Sequence, residues 1–111
     1  MARFIVLYNS SVPAREQMAN ATPEQQKAGM DAWMAWAGKA GGAIVDLGTP
    51  MQSAARVTAA GVERGNSEAS GYSILEADSE EDVEALLDGH PHLMMPGSSI
   101  EVFEALPVPG T

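Results

Sequence analysis

The sequence predicts an α+β domain with elements in the order βαββαβ, folded as an antiparallel sheet with two helices on one face. Three observations predict it. Arg3 to Tyr8 and Gly71 to Ala77 are apolar on both alternating faces, as central strands covered from above and below would be. Two stretches with helical periodicity, 22–41 and 78–89, each follow one such strand. The 111 residues hold no internal repeat and no linker, so residues 1–106 read as one domain and 107–111 as a Pro-rich tail.

In the first strand Phe4, Val6 and Tyr8 point one way, and Ile5 and Leu7 the other. Asn9 to Ala21 is irregular, with a short helical turn over Ala14 to Met18. Thr22-Pro23-Glu24-Gln25 starts the first long helix: Thr22 caps, Pro23 sits where its missing N–H is not needed, and Gln25 completes a capping box. Met30, Trp33, Met34, Ala37, Ala40 and Gly41 fall on one face, with Trp36 at its edge. Gly41-Gly42 ends the helix. Ala43 to Gly48 is the second strand. Ala54 to Ala59 is extended, and Gly61 to Ser70 is a polar loop or hairpin tip. After the strand Gly71 to Ala77, Asp78 caps a second helix whose stripe is Val83, Leu86 and Leu87, stopped by Gly89 and Pro91. Met94 to Gly97 is a loop, and Ser99 to Ala105 is the last strand.

Right-handed crossovers place both helices on the same side of the sheet. The opposite side is then a large exposed apolar patch, which soluble monomers avoid. A second copy packed sheet on sheet would cover it with two-fold symmetry, so a homodimer is expected.

Composition excludes several chemistries. Cysteine is absent, which removes disulfides, thiolate metal sites and cysteine nucleophiles. Net charge is −9 and unevenly spread: all six bases lie between Arg3 and Arg64, and from Gly65 onward ten acids stand with no base. That field repels phosphate backbones, so no direct nucleic-acid binding is expected. The apolar run Phe4 to Tyr8 is too short for a signal-peptide core or a membrane span, so a cytoplasmic protein without membrane contact is expected. No phosphate loop, dinucleotide glycine motif or nucleophile elbow is present.

Few residues can carry chemistry. His90 and His92 are the only histidines and the natural groups for moving protons near neutral pH. The plainer reading has His90 satisfying the last helix carbonyls and His92 lying in a loop. Together with Glu101 or Asp46 they could instead hold a metal, but the spacing is not diagnostic and no metal or cofactor is expected. Asp46, in a largely apolar strand, is either solvated or a base facing the inter-sheet cavity. Glu101 alternates with Ile100 and Val102 and faces away from them. Tyr8 and Tyr72, on the central strands, either pack in the core or orient a ligand in the inter-sheet space. Trp36 either packs at the stripe edge or covers a pocket.

The segments Trp33-Met34-Ala35-Trp36, Val45-Asp46-Leu47-Gly48-Thr49-Pro50, Gly71 to Ser79, His90-Pro91-His92-Leu93, Gly97 and Ile100-Glu101-Val102 run in an order and spacing that resembles the DGPF branch of the YCII-related family, over roughly Arg3 to Leu106. The resemblance implies a dimeric α+β barrel of the ferredoxin-like class and an enzymatic role through a His–Asp pair. The family places that histidine in the first helix. Helix 22–41 has none here, and the loop that names the branch reads Glu63-Arg64-Gly65-Asn66-Ser67-Glu68-Ala69-Ser70.

Two functions are then expected. One is cofactor-independent lyase or isomerase chemistry on a small organic substrate, with His90 or His92 as acid or base, Asp46 assisting and Tyr8, Tyr72 and Trp36 binding. The other is a non-catalytic ligand-binding or transcription-associated module. The branch is found joined to sigma-factor domains, and the acidic second helix could dock such a partner.

Overall fold

The computed structural model describes residues 1 to 110; Thr111, the end of the predicted tail, lies outside the described residues. The strands are β1 (Ala2–Ser10), β2 (Ile44–Asp46), β3 (Ala55–Thr58), β4 (Gly61–Arg64), β5 (Ala69–Ala77) and β6 (Ser98–Glu104). The helices are α1 (Ala14–Asn20), α2 (Pro23–Ala40) and α3 (Glu80–Leu87), and Gly41–Ala43 and Pro91–Met94 form 3-10 turns. Four strands make one antiparallel sheet in the order β2-β5-β1-β6. The architecture is α+β and compatible with a ferredoxin-like fold. Beyond the six main elements, the turn expected at Ala14 to Met18 is a longer helix, α1, and the stretch expected to be extended, 54–59, pairs with 61–64, expected as a loop or hairpin tip, in a separate β3–β4 hairpin.

Alternation along β1 and β5 sorts their side chains between two environments. Phe4, Val6 and Tyr8, with Leu75 and Ala77, face the helices and are buried against Trp36, Ala40, Val83 and Leu87. Ile5, Leu7 and Ile74 face the other way, where β6 adds Phe103. Ile5 lies directly opposite Ile74 on one side and Phe103 on the other. No element covers this apolar row among the described residues, and Ile5 and Phe103 are 39% and 46% exposed.

The ends of the helices follow their local chemistry. Thr22 accepts from the backbone N–H of Gln25 at 3.1 Å while the Gln25 side chain accepts from that of Thr22 at 2.9 Å, the reciprocal box expected from sequence. The second helix departs from expectation by one residue: Ser79, not Asp78, is the cap, its hydroxyl accepting from Asp82 N–H at 3.2 Å. The buried face of α2 is also rotated from the predicted stripe. Trp36 and Ala40 are buried, whereas Met30 and Met34 are exposed. The cause is tertiary: only the C-terminal half of α2 lies over the sheet, and residues 23 to 32 are all exposed.

The Cα radius of gyration is 15.5 Å, against about 13 Å for a compact chain of this length. The extents of 46 × 44 × 19 Å describe a flat molecule. No helix of the described residues is long and apolar enough to cross a membrane.

Candidate functional site

A cavity of about 330 Å³ lies on the helix-bearing side of the sheet. α1 contributes Ala14, Gln17 and Met18, and α2 contributes Met30, Trp33 and Met34. The segment Leu47-Gly48-Thr49-Pro50 closes one wall. Tyr8, Gly71 and Tyr72 come from the sheet, and His92 and Met95 from the turn before β6. Apart from His92, no titratable group more acidic or basic than a phenol borders it. The sequence reading placed the pocket against the open sheet face; this cavity is on the opposite side.

The Leu47 to Pro50 wall is held by a glycine that no other residue can replace without movement. Gly48 has φ +84°, and a Cβ there would overlap the carbonyl oxygen of Tyr72. Its N–H is fixed by the Asp46 carboxylate at 2.8 Å. Ser73 donates to the Leu47 carbonyl at 2.6 Å and accepts from the Tyr8 hydroxyl at 2.8 Å, tying the wall to the cavity's own tyrosine. Burial raises the Tyr8 pKa above the usual phenol value, partly offset by the bond to Ser73, so the hydroxyl stays neutral.

The two histidines have different surroundings. His92 is buried and its Nε2 lies 2.8 Å from the carbonyl oxygen of Asn9. A carbonyl only accepts, so Nε2 carries the proton and Nδ1 is the basic nitrogen. His90 is fully buried behind the cavity wall, with ring centroids 5.0 Å from Tyr8, 4.6 Å from Trp33 and 4.4 Å from Trp36. Its Nδ1 accepts from the backbone N–H of His92 at 3.0 Å, so its side chain caps the 3-10 turn and not the last carbonyls of α3. Its Nε2 is buried without a hydrogen-bond partner among the described residues. Burial first, and the neighbouring His92 second, pull the His90 pKa down to about 4. At neutral pH His90 is a packing group, held neutral.

The other sequence candidates are scattered. Tyr8, Tyr72 and His92 border the cavity; His90, Trp36 and Asp46 do not. Trp36 is a core residue whose indole N–H donates to the Leu86 carbonyl at 2.8 Å, a bond that pins α2 to α3. Tyr8 faces the helices and not the inter-sheet space. Tyr72 reaches from β5 to Asp46, donating its hydroxyl to the carboxylate at 3.1 Å. That bond, with the negative charge behind it, holds the exposed phenol above its ordinary pKa. No contact joins Asp46 to either histidine. Glu101 is exposed and accepts from the Asn9 side chain. No three acidic, histidine or cysteine groups among the described residues cluster to hold a metal.

Sequence reasoning missed Gln17, Met18 and Trp33 as cavity residues. Trp33 and Met34 lay on the predicted apolar stripe, but periodicity finds a face and not what the face meets. No family model matches this chain, and no curated protein matches it.

Proposed function

We propose that this chain is a YCII-related protein that binds a small, neutral, largely apolar organic molecule in the helix-side cavity and moves a proton on it without a cofactor. One observation carries the reading: a cavity of about 330 Å³, walled by methionine and tryptophan, has a single imidazole on its border. That is the usual composition of a small-molecule site, apolar walls with few convergent polar groups. Uncharged walls in a chain of net charge −9 favour a neutral ligand over an anion. The bond to Asn9 fixes the His92 tautomer, as orienting partners do for catalytic imidazoles. Nδ1 would take a proton from a carbon beside a carbonyl group, giving an imidazolium and an enolate. Returning that proton at another atom completes an isomerisation. Tyr8 supplies a neutral polar edge.

The test uses cyclohexanone and acetophenone in D2O, read by loss of their α-proton NMR signals. The wild type is expected to accelerate exchange, and His92→Gln to slow it by about 100-fold or more. Ligand-induced changes in tryptophan fluorescence should persist in the variant. Fluorescence changes without exchange would leave a binding module, and neither response would end the cavity reading.

The apolar row of exposed Ile5 and Phe103 with half-buried Ile74 supports a second proposal: two copies pack sheet on sheet, in a cytoplasmic homodimer. Sedimentation equilibrium should find a dimer at micromolar concentration. Phe103→Glu should raise its dissociation constant by about 100-fold or more, since a buried, unpaired carboxylate costs about 3 kcal/mol. A monomeric wild type would reject the assembly.

A further inference from the structure

The β3–β4 hairpin is an arm without a body beneath it. All eight residues of its two strands are exposed, and they make only sparse contacts outside their own pair. Isolated two-stranded hairpins are at best marginally stable in water. At its root its two flanks are joined by Gly65 N–H to the Ala54 carbonyl at 3.2 Å and Ser67 N–H to the Ser53 hydroxyl at 3.0 Å.

The arm is nevertheless two-faced. Val57 lies directly opposite Val62, and Ala55 opposite Arg64, on one face; Arg56 lies opposite Glu63 on the other. Val57 and Val62 are 74% and 73% exposed. A β-branched pair on a free two-stranded ribbon invites sheet contacts. A solvated hairpin tip would place polar residues at those two positions.

Charge indicates what the apolar face meets. The arm carries Arg56 and Arg64 against Glu63, so its net charge is +1. From Gly65 onward the chain carries ten acids and no base. The arm is thus a cationic projection on an anionic molecule, and another copy of the same chain offers the complementary surface.

We infer that the β3–β4 arm of each subunit lies on a second copy of this chain, seating Val57 and Val62 on it with Arg64, on the same face, toward its acidic C-terminal half. The inference rests on the two-fold assembly only in taking a second copy as occupant; it concerns a different surface from the row around Ile5.

Sedimentation equilibrium on the full chain decides it, with Val57→Ser/Val62→Ser and Arg64→Glu beside the wild type. Both variants are expected to raise the dimer dissociation constant at least tenfold, with unchanged far-ultraviolet circular dichroism, because the arm contributes nothing to the core. The chain has no cysteine, so Val57→Cys accepts a single environment-sensitive dye. Its emission should shift to the red on dilution through the dissociation range. Unchanged dissociation constants in both variants, or a dye that reports water at every concentration, would overturn the arm contact. A wild type that stays monomeric would overturn it as well. Phe103→Glu separates the two readings. If it dissociates the dimer while the arm variants do not, the sheet-face assembly stands and the arm contact falls. The reverse pattern keeps the arm and rejects the sheet face.

Discussion

Acidification from pH 7 to pH 4 is expected to remove about 3 kcal/mol of stability through His90 alone. The sign follows from the direction of the shift. In the unfolded chain an imidazole takes its proton near pH 6.5; in the fold His90 refuses it until about pH 4. Between those values the unfolded state binds the proton and the folded state does not. The stabilisation is complete above pH 6.5, falls as the pH drops toward 4, and levels off below. Nearby aromatic rings oppose the shift, since a cation is attracted to their faces by up to about 2 kcal/mol when desolvated. Burial outweighs them, because removing an ion from water costs several kcal/mol and the Nε2 site offers no acceptor. Urea denaturation of wild type and His90→Leu at pH 7, 5.5 and 4 checks this. Carboxylates titrate in both proteins and cancel in the difference. The variant should lose stability by about 3 kcal/mol less than the wild type over that interval. Parallel pH slopes would show that His90 takes up its proton without penalty.

Gly48→Ala is expected to destabilise the fold by about 3 kcal/mol and to abolish ligand binding in the cavity. The positive φ alone strains an L residue, but the larger effect is the overlap of the new methyl with the Tyr72 carbonyl oxygen. β5 is a central strand and cannot yield, so the Leu47 to Pro50 wall must move outward. That breaks the hold of Asp46 on the Gly48 N–H and of Ser73 on the Leu47 carbonyl. Gly42→Ala is the matched control, because a Cβ there meets nothing within 4 Å. Equal urea midpoints for the two variants would contradict this account of the wall.

The sheet was legible because its signal is local. Alternation assigns Phe4, Val6 and Tyr8 to one face and Ile5 and Leu7 to the other, and a capping box marks the start of α2. The site was less legible because it is made by long-range placement. Trp33 and Trp36 sit three residues apart on one helix, yet one borders the cavity and the other pins α2 to α3. That difference is set by where α3 crosses, which periodicity does not encode. His90 and His92 also look alike in sequence. A bond to Asn9, 83 positions away, separates a tautomer-fixed imidazole from a buried packing group. The helix-side cavity was not foreseen for the same reason. Apolar strand faces reveal that cover is needed, whereas a gap between α1, α2 and the sheet arises from how far the first long helix overhangs.

The strand order has a consequence for how the chain must be born. Among the described residues β1 pairs only with β5 and β6, so during synthesis it has no neighbour until residues 69 to 104 follow. Local pairing can form the β3–β4 ribbon early, but the central sheet waits for β5 and β6. Such distant pairing slows folding and leaves greasy strand edges bare in the interval. A nascent chain stalled before β5 would therefore present Phe4 to Tyr8 to whatever chaperone surface lies nearby.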